Sequence, residues 1–578
     1  MAGELKVSVG QYSHRGRKET NQDFHGACIP AEPLLSAKGV AIALADGISS
    51  SSVSHVASQS AVTGFLEDYY STPDSWSVKT SARRVLNAAN SWLHAQTRQG
   101  PSRFDADKGY VCAFSAMVVK AATAHIFHVG DIRIFRLQGQ ALEQLTIDHR
   151  VVVSPEQSYL GRALGATPQV ETDYLSLQLE AGDVFLFATD GVYEWVDAPV
   201  VAEALSHHGT DLDRAAQAIT DEALRRGSTD NLTAQLLRIE ALPDLTADAL
   251  QQHIARLSFP PILTPRTEFD GYHIVRELHG SHRSHIYLAV DSETNATLVL
   301  KTPSADLRDD PAHLERFLLE EWIARRIDNP HVLKAFPHGR RRRYLYVVME
   351  FVEGQTLQQW MTDNPRPDLE SVRRIVEQVA RGLQAFHRRE MLHQDLRPQN
   401  VLIDRTGTAK IIDFGSTRVA GVAEAAPALE GHGILGTLQY TAPEYFLGEG
   451  GTPRSDLFSL AVVTYQMLTG RLPYGVDVVN ARTRAAQNRL KYRSALEDDR
   501  EIPAWIDGVL KKALHPNPWK RYAELSEFVY DLRHPGPPHL ADRRPPLMES
   551  RPLLVWKAIS AFLLAVVIGL LYVKTPVR

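Results

Sequence analysis

Three apolar runs in the first third of the chain stop abruptly at an aspartate: VAIALADG (40–47), IFHVGD (126–131) and DVFLFATDG (183–191). Unbroken β-type runs predict strands buried between layers, and residues 53–70, 79–98 and 211–226 repeat their apolar positions with helical period. Strand pairs with helices in separate blocks predict an α+β layered domain over residues 1–240. A second strand-rich stretch covers 272–302 and resumes at YLYVVMEFV (344–352), and the pattern turns helical from 368 onward. That order predicts a small β lobe followed by a larger helical lobe over 269–534, with a ligand cleft between them. The segment 241–268 joins the two bodies through a short helical pattern and then SFPPILTPRT, where prolines block regular structure. A second linker, 535–552, is rich in Pro and Arg.

The last pattern is different in kind. Residues 553–573, LLVWKAISAFLLAVVIGLLYV, are apolar except for Lys557 and Ser560. A helix of that length spans ~31 Å, so one transmembrane helix is predicted. Arg543, Arg544 and Arg551 precede it and only Lys574 and Arg578 follow, a bias that predicts a single-pass protein of an inner (cytoplasmic) membrane with its large amino-terminal part in the cytoplasm. So few residues follow the span that no outer sensor domain is expected.

Charge sharpens the division. The 578-residue chain has a formal charge of −5, but residues 1–240 carry 20 Lys/Arg against 28 Asp/Glu and the remainder 43 against 40. This balance excludes a generally basic nucleic-acid binder and suggests that the first body uses carboxylates to hold cations. Two cysteines, Cys28 and Cys112, exclude a disulfide framework and a cysteine-based zinc site, and fit a reducing compartment.

An isolated Asp-Gly after a strand is usually a turn. Four acidic corners, Asp46-Gly47, Asp131, Asp190-Gly191 and Asp230-Asn231, carry more information. Strand ends gathered on one edge would bring these carboxylates together, where they cannot all stay ionised without cations. Oxygen-only donors select Mg²⁺ or Mn²⁺ over zinc, and two such ions can activate a water for attack on phosphorus. The run SHRGRKETNQD (13–23) followed by ALADG, GDIR, ATDG and STDN resembles, in order and spacing, the type 2C metal-dependent protein phosphatases. The resemblance implies a four-layer α-β-β-α phosphatase sandwich, serine/threonine phosphatase activity and two or three ions. By motif it implies that Asp46 bridges two metals, that the Gly47 carbonyl helps bind one, that Asp190 and Asp230 hold the other, and that Asp131 serves an accessory third. Arg17 would grip the substrate phosphate, Asp23 would support the metal-water network, and Gln22 stands where many relatives have Glu.

The second body holds the groups that phosphoryl transfer from ATP requires. Lys301 lies in VLK, Glu320 in FLLEEW, Asp395, Arg397 and Asn400 in HQDLRPQN, and Asp413 in IIDFG; GTLQYTAPE, Asp456 and Arg521 follow. Their joint order resembles a eukaryotic-like serine/threonine protein kinase with a bilobal protein-kinase fold. The resemblance implies that Lys301 contacts the ATP phosphates and pairs with Glu320. It implies that Asp395 orients or accepts the proton of the substrate hydroxyl, Arg397 keeps a positive charge near the transferred phosphate, Asn400 and Asp413 hold Mg²⁺, and Glu350 to Val352 form the adenine hinge. Glu444 would pair with Arg521, and Thr437 would brace Asp395 and Arg397. Three departures stand out. His279, Ser281 and Ser284 occupy the glycine positions of the phosphate loop, leaving only Gly280; Gln394 replaces the arginine that answers a phosphorylated activation loop; Arg397 replaces a lysine.

Together the two resemblances are similar to bacterial bifunctional serine/threonine protein kinase/phosphatase signalling proteins. They lead to an expected membrane-anchored enzyme acting on phosphoprotein and protein substrates, its own chain among them, with Thr417 and Thr441 as candidate positions. The alternatives are an active phosphatase governed by a nucleotide-binding pseudokinase, a degenerate sensory phosphatase fold, and a scaffold with neither activity.

Overall fold

The computed structural model describes residues 5–101, 103–154, 157–243, 257–308, 310–336, 340, 342–424, 438–496 and 502–535. The predicted transmembrane segment 553–573, most of the linker 535–552 and Thr437 lie outside the described residues. Among those described, no helix is long and apolar enough to cross a membrane.

Among the described residues the first body contains twelve strands. They are β1 (Lys6–His14), β2 (Asp23–Cys28), β3 (Val40–Gly47), β4 (Cys112–Lys120), β5 (Thr123–Val129), β6 (Arg133–Gln138), β7 (Ala141–Gln144), β8 (Arg150–Ser154), β9 (Gln157–Leu160), β10 (Asp173–Gln178), β11 (Val184–Ala188) and β12 (Leu232–Ala241). Two five-stranded sheets form, in the orders β1-β12-β11-β6-β7 and β10-β5-β4-β3-β2, and β8 and β9 make a separate hairpin. Helices α1 (Leu34–Lys38), α2 (Ser54–Ser71), α3 (Val78–Gln99), α4 (Asp190–Tyr193), α5 (Ala198–His208) and α6 (Leu212–Arg226) complete the body.

The alternation within β3 explains why this strand is apolar throughout. Ala41, Ala43 and Ala45 face α2 and α3, packing with Ala57, Ala61, Phe65 and Leu86, where small side chains let the helices approach. Ile42 and Leu44 face the other way, into a core shared with Phe185, Phe187, Leu237 and Ile239 of the opposite sheet. On the far side, Leu186 and Leu236 pack under Leu205, Ala215 and Ile219 of α5 and α6. The layers are therefore α-β-β-α.

In the second body β13 (Glu268–Phe269), β14 (Tyr272–Gly280), β15 (Ser284–Asp291), β16 (Thr297–Pro303) and β17 (Val347–Glu350) form one antiparallel sheet. Helix α7 (Pro311–Arg326) follows β16, and the larger lobe is built around α8 (Leu369–His387) and α9 (Pro453–Thr469). Fourteen of the seventeen residues of α9 are buried, as a central helix requires. Residues 257–264, on the linker side of the lobe, form no helix and are partly packed onto it: Ser258 pairs with Tyr344, and the Leu263 N–H donates to the Tyr287 hydroxyl at 3.4 Å.

Candidate active sites

In the first body, β3 delivers Asp46 to the end of the sandwich. Asp23 sits directly opposite it across the β2–β3 ladder, on the same face. That face looks between the sheets, so Thr189 and Thr233, from the other sheet, donate to Asp23 Oδ2 at 3.1 and 2.6 Å. Asp131 follows β5, Asp190 opens α4 after β11, and Asp230 precedes β12, all at this same end. Burial, then the charges of Asp23, Asp190, Asp131 and Asp230, pushes the Asp46 carboxyl well above its usual range. Burial and neighbouring carboxylates likewise bring Asp190 to about 6, and burial brings Asp23 to about 6.

Cations from the chain stand among these carboxylates. Arg150, on β8, bonds Asp131 through Nε and Asp190 through a terminal nitrogen, each at 2.8 Å, and Lys18 pairs with Asp230. With the guanidinium wedged between them, no trio of acidic or imidazole side chains among the described residues stands in ligating arrangement. The donors nevertheless suit a hard cation. They are oxygen only, and Asp23 Oδ1 is buried with no hydrogen-bond partner among the described residues.

Arg17 is exposed on the loop 15–22. Asn231 anchors that loop, donating to the carbonyls of Arg15 and Thr20 at 2.9 and 3.0 Å and accepting from the Gln22 N–H at 2.9 Å. Gly16 has φ +61, and a Cβ there would lie 1.9 Å from the Asp230 carbonyl oxygen, so only glycine lets the loop close on the Asp230 corner. The Gln22 amide donates to the carbonyls of Ile48 and Ser51 and to Ser54 Oγ at 3.2, 2.9 and 2.6 Å. It therefore ties down the loop after Gly47. The roles of Asn231, Arg150 and the Gln22 amide were missed from sequence; only the STDN motif flagged the first position.

In the second body, Lys301 on β16 meets Glu320 on α7 at 2.8 and 2.7 Å and lies 3.6 Å from Asp413. Burial opposes the charge on Lys301, but Glu320 and Asp413 outweigh it and hold the ammonium protonated. Burial would also raise Asp413, yet Lys301 and the Gly415 N–H bring its carboxyl below the usual range. Asn400 donates to the Asp395 carbonyl and to its Oδ2 at 2.8 and 3.2 Å, and Arg397 lies 3.7 Å from the same carboxylate. Asp456 of α9 accepts from the backbone N–H groups of His393 and Gln394, both at 3.0 Å, and from His387 at 2.9 Å. Gln394 has φ +65.

The predicted hinge is at the end of β17: the Glu350 side chain pairs with Lys410 at 2.7 Å, and Val352 is partly buried against the main core. At the degenerate phosphate loop the Ser281 hydroxyl accepts from the N–H groups of Arg283 and Ser284 at 3.3 and 3.2 Å, making a serine-closed turn. The predicted Glu444–Arg521 pair is present, doubly bonded at 2.8 and 2.7 Å, and its side chains are only 3% and 0% exposed. Thr417 and Thr441, the candidate modification positions, are both buried.

Residues 10–239 match the family model for protein phosphatase 2C, and residues 272–530 match that for the protein kinase domain. The chain is 28% identical over 263 residues to serine/threonine-protein kinase PrkC of Bacillus subtilis, covering 45% of this chain and 40% of PrkC. It is 30% identical over 286 residues to serine/threonine-protein kinase PknA of Mycobacterium tuberculosis, covering 49% of this chain and 64% of PknA. The chain thus spans less than two thirds of these relatives. Among solved structures, the Mycobacterium tuberculosis serine/threonine phosphatase PstP/Ppp is 23% identical, covering 40% of this chain and 99% of that one, with a TM-score of 0.34. The PknI kinase domain of the same organism is 26% identical, covering 47% and 98%, with a TM-score of 0.37.

Proposed function

We propose that this fusion of a protein phosphatase 2C domain with a serine/threonine protein kinase domain both places and removes phosphate on protein serine and threonine residues. In the phosphatase domain, Asp46, the Gly47 carbonyl, Asp190, Asp230 and Asp131 would hold Mg²⁺ or Mn²⁺. Bound there, the ions supply Lewis-acid charge and an activated water. Arg17, exposed on its anchored loop, would bind a substrate phosphate, and Asp23 is held by two threonine hydroxyls opposite Asp46. In the kinase domain, Lys301 orients the phosphates of ATP, Asn400 and Asp413 would hold Mg²⁺, Asp395 takes the proton of the substrate hydroxyl, and Arg397 stabilises charge at the transferred phosphate.

The observation that carries the kinase reading over a pseudokinase is the assembled set Lys301–Glu320–Asp413 beside Asn400–Asp395. The assay is ATP-dependent phosphorylation of a generic protein by the Asp190→Asn variant, in which product is not removed. Signal that disappears on adding Asp395→Asn supports transfer; no signal in either supports the pseudokinase. The apolar segment 553–573 supports a single carboxy-terminal membrane anchor with both domains in the cytoplasm. Extraction of the full chain from membranes only by detergent, and not by salt, tests it.

A further inference from the structure

The two domains meet at the end of the sandwich opposite the carboxylates. Strand β4 runs from Ala113, paired with Asp46, to Val119, paired with Val40, which separates the two ends by ~20 Å. Beyond Val119 come Lys120 and, packed beside it, the loop 72–77 that leads into α3. Three kinase segments rest on this loop. From α7, six residues past Glu320, Arg326 grips Asp74 at 2.7 and 3.1 Å. From the chain entering the catalytic loop, Glu390 accepts from the Ser77 N–H at 2.7 Å and from the Thr80 hydroxyl, and the Arg388 carbonyl accepts from the Trp76 indole at 2.9 Å. From the segment after Asp413, the Gly421 N–H donates to the Ser75 carbonyl and Glu424 accepts from the Val78 N–H, both at 2.9 Å.

Each contact has a physical basis. Glu390 and Glu424 sit at the amino terminus of a 22-residue helix, where unpaired N–H groups and the helix dipole favour carboxylates. A Cβ on Gly421 would come within 2.5 Å of the Asp74 carbonyl oxygen, so the backbones close only over glycine. Lys120, 1% exposed, donates to the Gly421 carbonyl and lies 3.6 Å from Glu424. Lys38 fastens the loop from behind, donating to Thr72 Oγ1, the Pro73 carbonyl and Ser81 Oγ at 2.7, 2.8 and 3.2 Å.

We infer that residues 74–80 of the phosphatase domain, with Lys120, are positioning residues for the kinase. They brace together α7, the entry to Asp395 and the segment after Asp413, which carry Glu320, the catalytic aspartate and the metal-holding aspartate. Gln394 offers no cation to an activation-loop phosphate, so the fused neighbour holds the kinase in its assembled state in place of that phosphate. The inference rests on the proposed kinase activity.

The test uses the full chain carrying Asp190→Asn, alone, with Asp74→Arg, and with Asp74→Arg plus Arg326→Asp. Phosphate transfer and amide hydrogen exchange over 311–326 and 413–424 are measured, and hydrolysis of p-nitrophenyl phosphate in the Asp190 parent reports folding of the phosphatase domain. Asp74→Arg should lower the kinase kcat about tenfold or more with a smaller change in KM for ATP. It should speed exchange in both segments and leave phosphatase turnover within about twofold, and the charge swap should restore most of the loss. An unchanged kcat, or a loss the swap does not reverse, would overturn the inference. A parent that transfers no phosphate overturns the proposed kinase activity instead. Exchange then still decides on the brace, and exchange unaltered by Asp74→Arg rejects it.

Discussion

Asp456 offers the sharpest test of how the kinase catalytic loop is held. Its carboxylate accepts two backbone N–H groups, those of His393 and Gln394, and Gln394 is kept at φ +65 beside Asp395, the proposed catalytic residue. A left-handed non-glycine residue costs about 1–2 kcal/mol, whereas a hydrogen bond to a charged acceptor contributes about 1.5–3 kcal/mol. Two such bonds exceed the strain, so the loop keeps its strained turn only while the carboxylate is present. Asp456→Ala leaves two N–H groups without their acceptor and lets Gln394 relax. A shift of ~1 Å at Asp395 should cost about 10²-fold in kcat. Because Lys301, Glu320 and Asp413 make none of the Asp456 bonds, KM for ATP should move less. Asp456→Asn keeps one acceptor oxygen and should fall between, and Gln394→Gly, which relieves the strain, should recover part of the Asp456→Ala loss. Burial raises the Asp456 carboxyl, but His387, the charge of His393 and the Gln394 N–H together bring it below the usual range. A carboxyl depressed in the folded state stabilises fully above the ordinary carboxylate pKa of ~3.9 and loses that contribution as pH falls through the folded value. Loop loosening through Asp456 is therefore confined to pH below ~4. An Asp456→Ala enzyme whose kcat stays within about threefold of the parent would refute the reasoning.

Other expectations follow from the same geometry. Gln22→Glu, although it moves toward the common residue of the related phosphatases, turns a donor to two carbonyls into an acceptor facing them, at a cost of about 2–4 kcal/mol. Phosphatase turnover should drop, and turnover equal to the parent's would contradict the assigned tie. Arg150→Ala frees Asp131 and Asp190 of their shared guanidinium, so the Mn²⁺ concentration for half-maximal phosphatase activity should fall several-fold in a metal titration; a higher requirement would count against competition. Glu444→Ala strands the fully buried Arg521 charge, a loss of about 3–5 kcal/mol that should lower the kinase melting temperature by roughly 6–20 °C in calorimetry. Removal of phosphate from the described part of the chain's own activation segment should be bimolecular, its rate rising with the concentration of added kinase-dead chain; a concentration-independent rate would argue for removal within one chain.

The carboxylate end of the phosphatase domain was legible because strand patterning is local. A run that alternates small and large apolar residues and then breaks at Asp names both the buried strand and its polar end, as VAIALADG does. The kinase groups were legible because their separations along the chain are characteristic, even where the phosphate loop had lost its glycines. Arg150 was not, since nothing within a few residues marks it and its partners lie 19 and 40 positions away. The stretch SFPPILTP read as a linker because prolines exclude helix and inner strand. They do not exclude an extended chain from burying Leu263 against the lobe. The docking loop was the least legible feature. Asp74 and Arg326 are 252 positions apart, and an acidic loop residue and a basic helix end look like ordinary surface in either domain alone.

The two ends of the phosphatase sandwich set how opposing activities can coexist on one chain. If the carboxylate end, the proposed metal site, faced the kinase, each phosphate placed near the activation segment would meet the phosphatase at a high local concentration, and the proposed activities would cancel. Instead the kinase rests on Lys120 and residues 74–80, ~20 Å from Asp46 along β4. The segment after Asp413 is pinned there through Gly421 and Glu424. Thr417 and Thr441 are buried besides, so modification of either requires local opening of the chain. Docking by the far end keeps Arg17 and the aspartates open to substrates while the kinase stays braced. On the proposed function, both active sites would then be available to other proteins, and the balance between the two activities would be set by the substrates each site meets.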